Sequence, residues 1–437
     1  MSDGIRELAE ERRRRFQQLR DTERPHSTPC PDCAQPTYLT ELCPQTGRFH
    51  GLEHQTLVGG DFVRGKIISS SALMGAIERT RVKWVPSRTQ LVKADAASLN
   101  IFQSFAAQVG WNLQRYGILY GLYDPIGAVI EVHAVYEPEQ HGNRFTFEMI
   151  PDPRLPRVDQ IASGLGLRRV GAICTHPPRD PEKIVMSARE LLLSAREQSL
   201  YGDECVLLTI APNLTDGMVE CQAWQTSPQC VHLFRVGFLD EPSTPSSFSF
   251  SEGGSAPSSR LSSSTTGQPP ASAGSTERQN PPSHSNPNNG NTGNNSVNNE
   301  GVIASKVPLE VAQEDTDGRG HRRCVTKEPC TRVDTRWFTS YIAVQQFTSE
   351  VVRGAFMRIS RPGMPPPTFQ NLKNYMNDPK RRNDSFAEKI ADFHVLIFLS
   401  TVFSENDDLP ELVRIAKAKQ MSEEARNYEI ILGEYMN

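Results

Sequence analysis

The 437-residue chain has no run of about 18 apolar residues, so no membrane-spanning helix is expected. Its N-terminus is charged from Arg6 onward and lacks the apolar stretch of a secretory signal, which makes an intracellular protein the expectation. An excess of either charge is also missing. With 47 basic against 51 acidic residues and a net charge of −4, the composition gives no basis for a nucleic-acid or anionic-membrane partner. Aromatic residues make up 8% and hydrophobic residues 37%. Such values fit globular parts diluted by polar sequence, and the length suggests two or three domains. The nine cysteines are odd in number and scattered, which fits free thiols in a reducing compartment better than a disulfide framework.

What is present begins with a charged, helical 1–25 segment that carries an Arg12 to Arg15 run. A cysteine-containing region spans 26–90. In it, Cys30-Pro31-Asp32-Cys33 is followed by Cys43, His50 and His54, the ligand types and spacing of a zinc knuckle. A Cys-Pro-x-Cys turn points both thiolates at one metal, and any two of the three later residues can close a tetrahedron. The alternative is a loop with free thiols. Structural Zn2+ here would stabilise a region of little hydrophobic content.

Between 91 and 240 the patterns are those of a sheet flanked by helices, giving an α/β (α+β) fold. Ile101 to Trp111 reads as an amphipathic helix, Tyr116 to Gly121 as a buried strand, and Ala128 to Tyr136 as its hairpin partner. A helix over Val158 to Leu165 precedes a strand from Arg168 to Thr175. A further helix starts at Ser187 with a capping box to Glu190, and Cys205 to Ile210 and Val219 to Ala223 form a second hairpin. Residues 241–335 read as a disordered tether. Its first 60 residues hold 16 Ser, 9 Asn, 8 Pro and 6 Gly, and cannot bury enough apolar surface to offset the entropy of ordering. A small strand-plus-helix C-terminal domain is expected over 336–437, with strands at Phe338 to Phe347 and Ala355 to Ser360 and an apolar helix from Phe386 to Phe403.

Val170 to Pro177 has the outline of a metalloprotease zinc strand, His-x-His-Pro, followed by Ser-x-x-Asp. Residues i and i+2 of a strand share a face, so two such histidines can grip one metal. Here the pair reads Cys174 and His176, and the later element runs from Ser187 to Glu190. Cys174, His176 and Glu190 are all zinc-ligand types. The simpler reading makes Cys174 a small buried strand residue and Glu190 part of a helix cap.

These residues, with their neighbours, resemble an MPN domain and, across the chain, the nuclear protein localization protein 4 family. Members of that family are ubiquitin-binding cofactors of the valosin-containing AAA ATPase. The resemblance rests on Tyr116 to Gly121, Val135-Tyr136-Glu137-Pro138-Glu139-Gln140, Val158 to Gly171, Ser227-Pro228-Gln229-Cys230 and Asp392 to Leu399, in family order. It implies partners in ubiquitin or polyubiquitin, the ATPase and a ubiquitin fusion degradation protein 1-like protein, and a place in the cytoplasm and nucleus, including the cytosolic face of the ER. It also places Gln114 where an active MPN metalloprotease carries its general-base Glu. An amide cannot take a proton from a metal-bound water near neutral pH. The expectation is therefore a pseudoenzyme with no catalytic residue and no metal in the MPN pocket, the alternative being a divergent zinc isopeptidase. Family members usually begin with a ubiquitin-like domain, for which the stretch before Cys30 is too short.

Overall fold

The computed structural model describes residues 29–35, 41–50, 80–242, 301–316, 322–326 and 329–436. The expected 1–25 helix, the first 60 residues of the tether except its two leading ones, and His54 lie outside them. In chain order the elements are β1 (Arg81–Val82), β2 (Leu91–Asp95), α1 (Ala96–Gln108), β3 (Tyr116–Asp124), β4 (Val129–Tyr136), β5 (Gln140–Gly142), β6 (Phe147–Met149), α2 (Leu155–Leu165), β7 (Arg168–Thr175), α3 (Ala188–Tyr201), β8 (Val206–Pro212), β9 (Val219–Thr226) and α4 (Pro228–Arg235). There follow β10 (Val302–Thr316), β11 (Arg322–Thr326), β12 (Cys330–Asp334), a 3-10 turn at Thr335–Phe338, β13 (Thr339–Phe347), α5 (Phe369–Met376), α6 (Phe386–Ile390), α7 (Phe393–Leu399), α8 (Asp408–Ala418) and α9 (Glu423–Met436).

Seven strands close into a barrel in the order β13-β2-β4-β3-β7-β8-β9. Its interior is filled by alternate residues, among them Val92, Leu119, Ile130, Val132, Ile173, Leu208 and Ile342, with Leu99 and Phe102 of α1 packed into the same cluster. The outward residues Ile118, Tyr120, Ala134, Ala172 and Cys174 are buried in turn beneath the helices. On β7 the inward set passes from Val170 to Ile173, because a bulge at Gly171 inserts one extra residue. Gly171 has φ +142°, and a Cβ there would stand 1.9 Å from the carbonyl oxygen of Val206, so only glycine fits.

Three expectations are corrected. The first concerns the tether, expected to run unstructured to 335. Instead β10 pairs with β1, β11 and β12 from Val302 on, burying Ile303, Leu309, Val311 and Val333. The second concerns the stretch from 336, expected as a separate domain. Its strand β13 sits between β2 and β9 and closes the barrel, and the described residues up to Glu241 and from Gly301 onward group into one compact unit.

The third concerns local elements. Ala355 to Ser360 is not a ladder strand, although Gly354, Phe356 and Arg358 are buried in alternation; beyond one bridge from Arg353 to Asp392 the stretch is irregular. The apolar helix expected over 386–403 breaks into α6 and α7 at Asp392. The Asp392 carboxylate accepts from the amides of His394 and Val395, capping α7, and also from Ala355, Phe356 and the Tyr375 hydroxyl. One buried carboxylate thus starts a helix and anchors an irregular segment.

The same segment is tied to the barrel by charge. Glu137, at the end of β4, is buried with Arg115, Arg358 and the largely buried Arg361. Arg115 lies 3.1 Å from its Oε2, Arg361 donates through Nε at 3.1 Å, and Arg358 lies 3.9 Å away. Both Arg115 and Arg361 also stack over the Phe105 ring of α1. No helix among the described residues is long and apolar enough to cross a membrane.

Candidate functional site

The N-terminal segment builds a closed donor set. Cys30, Cys33, Cys43 and His50 bring their ligand atoms within 4.8 Å of one another, and Sγ of Cys33 lies 3.5 Å from Nε2 of His50. Two turns of the same design produce this. In Cys30-Pro31-Asp32-Cys33-Ala34, the Ala34 amide donates to the Cys30 carbonyl at 2.8 Å, and Ala34 has φ +55°. In Cys43-Pro44-Gln45-Thr46-Gly47, the Gly47 amide donates to the Cys43 carbonyl at 2.8 Å, and Gly47 has φ +71°. The second turn has Thr46 where the first has its second cysteine. His50 supplies the fourth donor after the chain doubles back through the Leu42–Phe49 bridge.

The donor chemistry fits zinc. Tetrahedral bonds of about 2.3 Å to sulfur and about 2.0 Å to nitrogen put neighbouring S and N donors roughly 3.6 Å apart. The Cys33–His50 separation matches that spacing. Nε2 is the His50 ring nitrogen beside Cys33, while Nδ1 is buried without a hydrogen-bond partner. Burial raises the Cys43 pKa, but hydrogen bonds from the Thr46 side chain and from backbone at Thr46 and Gln45 prevail, and the thiol lies below its ordinary value. The four cysteine and histidine side chains would hold the ion as a closed structural site, with no open position for chemistry.

This module is docked on the barrel's helices. The Phe49 amide donates to the Arg235 carbonyl at 2.9 Å, the Ser199 hydroxyl to the Gly47 carbonyl at 2.6 Å, and Arg196 to the Gln45 carbonyl at 3.0 Å. Arg48 covers the Phe234 ring at 4.8 Å.

The strand β7 site is arranged differently. Cys174 is buried on β7, His176 follows the strand's last residue, and both interact with the Glu190 charge at the start of α3. Burial pushes the Cys174 thiol well above its ordinary pKa, and the Glu190 charge adds to the rise. Burial pushes His176 down, and its Nδ1 pairs with the Pro177 carbonyl at 2.8 Å. Glu190 closes the capping box expected with Ser187: its carboxylate accepts from the Ser187 amide at 2.9 Å while its own amide donates to the Ser187 hydroxyl at 3.3 Å. Burial raises the Glu190 pKa, but the Arg179 guanidinium overcomes this and holds it below the carboxylate range. Arg179 Nη1 reaches both Glu190 oxygens, at 2.9 and 2.8 Å, and Nη2 donates to the Val185 carbonyl. The positive charge beside Glu190 is therefore supplied by a guanidinium.

Gln114 is buried beside this strand. Its Oε1 accepts from the Thr175 hydroxyl at 2.7 Å, and its amide donates to the carbonyls of Arg144 and Trp111 at 3.0 and 3.2 Å. The three bonds tie the end of β7 to the backbone at Trp111 and Arg144. The sequence reading missed Arg179 and Thr46. The likeness of the two turns, Cys-Pro-Asp-Cys-Ala and Cys-Pro-Gln-Thr-Gly, was a signal for the second, whereas nothing in the order Pro177-Pro178-Arg179-Asp180 pointed to a clamp.

Residues 115–256 match the model of the NPL4 family, a stretch that holds Cys174, His176 and Glu190 but not the cysteine turns. A Nuclear protein localization protein 4 homolog of Dictyostelium discoideum is 38% identical over 144 residues, which cover 33% of this chain and 24% of that protein. The Homo sapiens protein of the same name is 31% identical over 150 residues, 28% of this chain and 25% of its own length. An NPL4-like protein of Oryza sativa subsp. japonica is 35% identical over 156 residues, 33% of this chain and 38% of its own. The matches thus span about a quarter to two-fifths of these relatives, and none of the three names states an enzymatic activity. The likeness to the NPL4 family is thus carried by the central stretch of the chain.

Proposed function

We propose that this protein is a non-catalytic adaptor that holds ubiquitin or polyubiquitin chains and delivers the conjugates to the valosin-containing AAA ATPase. It acts with a ubiquitin fusion degradation protein 1-like partner, in nucleus and cytoplasm, ahead of proteasomal and ER-associated degradation. The observation that carries this reading is the Arg179–Glu190 clamp, set within a stretch that matches the NPL4 family.

An MPN protease works through a metal-bound water and a carboxylate base. Here the three candidate ligands are a buried protonated thiol, a histidine bonded to Pro177 and a carboxylate bound at both oxygens by arginine. The base position holds Gln114, whose amide has no useful basicity and is used in loop bonds. These features support retention of an MPN-type frame as a binding scaffold with its protease chemistry lost. The cysteine and histidine turns fit a structural zinc that orders the N-terminal segment against α3 and α4.

The test is a pull-down from cell extract with the full chain as bait. Recovery of both ubiquitin conjugates and the ATPase is expected. Recovery of neither removes the adaptor reading.

A further inference from the structure

A cavity of about 750 Å3 lies where β9 runs into α4, and it shares no residue with the sites above. Its size falls within the range of small-molecule sites. Its wall is held rigidly by two glutamines. Gln225 accepts from the amides of Arg88 and Thr89 at 2.6 and 3.1 Å and donates to the Asp203 carbonyl at 3.0 Å. Gln198 binds the backbone of Thr226 on both sides, each at 2.9 Å.

Three features give the cavity its chemistry. Its rim carries Arg81, Lys83 and Arg88 against one acid, Asp203. Arg88 contacts Asp203 at 3.4 Å through exposed side chains, Arg81 is 3.8 Å from Glu310 outside the cavity, and Lys83 has no ion pair among the described residues. The second feature is the start of α4, capped by Ser227, which brings the positive end of a helix to the same space. The third is Thr226. It lines the cavity at 2% exposure, and its hydroxyl is buried without any hydrogen-bond partner. Buried hydroxyls are nearly always paired, so this one has an unused donor at the cavity wall.

We propose that this cavity binds a small organic phosphate, with the phosphate between Lys83, Arg88 and the Thr226 hydroxyl and the organic body against Pro86 and Pro228. With Arg81 paired to Glu310, Lys83 and Arg88 against Asp203 leave a net positive rim that favours an anionic ligand such as a phosphate monoester. The two arginines add forked donors suited to phosphate oxygens.

Isothermal titration of the full chain with adenosine monophosphate and with inorganic phosphate tests the proposal. Saturable binding is expected, tighter for the monophosphate than for phosphate alone. The double variant K83Q/R88Q should weaken it by about tenfold or more, T226V should weaken it by several fold, and R414Q, a charge removal on α8 outside the cavity, should leave it unaltered. The surface variants keep the test valid should T226V fail to fold, which thermal melts report. Absence of saturable heat, a monophosphate no tighter than phosphate, or equal loss in R414Q overturns the proposal.

Discussion

Glu137→Gln isolates the charge cluster that fastens the 353–361 segment to the barrel. In the wild type one carboxylate faces Arg115, Arg358 and Arg361, and Arg115 Nε and Nη1 and Arg358 Nε and Nη2 already lack hydrogen-bond partners. The amide keeps the shape but removes the negative charge that the three arginines share and turns one acceptor into a donor aimed at guanidinium. Breaking a buried ion pair on one side costs about 3–5 kcal/mol. At roughly 2 °C per kcal/mol for a unit of this size, the midpoint should fall by about 6–10 °C.

The pH dependence has a fixed sign. Burial raises the Glu137 pKa, but Arg361, Arg115 and Arg358 prevail and hold it below the ordinary 4.5. Its contribution is therefore fully present above pH 4.5 and lost as pH falls through the lower folded value. Scanning calorimetry of wild type and variant should show a constant gap between pH 6 and 8 that narrows only below pH 4.5. A drop under 2 °C, or a gap that widens in acid, refutes the reasoning.

Elemental analysis of the purified chain should find one zinc per molecule, reduced to a small fraction by Cys43→Ser; an unchanged zinc content in that variant would exclude the four-donor site. Gln114→Glu restores the residue type of the general base, yet it should release no ubiquitin from a chain, because Arg179 still binds Glu190 and Cys174 remains a buried thiol; cleavage measured by gel would refute the clamp argument. Gly171→Ala drives a methyl to 1.9 Å from the Val206 carbonyl oxygen, and a loss of about 3 kcal/mol or more is expected. Gly217→Ala, with nothing within 4 Å of its added carbon, should cost only about 1 kcal/mol, and equal denaturation midpoints for the two would contradict the packing account.

Local signals in the sequence carried well where the partner was close by. The Ser187–Glu190 capping box, the Tyr116 and Val129 strands and the Arg168 strand all follow from spacing and turn chemistry, and the structure contains each of them. The helix expected at Ile101 starts earlier, at Ala96, because Asp95 caps it by accepting from the Ser98 amide. Long-range pairing was not legible. Nothing in Leu91 to Asp95 or Thr339 to Phe347 states that the two lie side by side and close a barrel across about 250 residues of chain. The Glu137 cluster likewise joins charges at 115, 137, 358 and 361, each of which alone reads as a surface residue. Asp392 shows a further limit: an apolar run reads as one helix until the buried carboxylate's five donors are known. The cysteine turns were legible because a Cys-x-x-Cys spacing brings two thiols together, and the structure gathers Cys43 and His50 beside them.

The most direct measurement of the central claim is incubation of the full chain with purified polyubiquitin, followed by both retention and chain length. The account predicts that chains are retained on the protein and recovered at full length, with or without a chelator. Shortened chains whose formation a chelator blocks, or chains that pass through unretained, would contradict it.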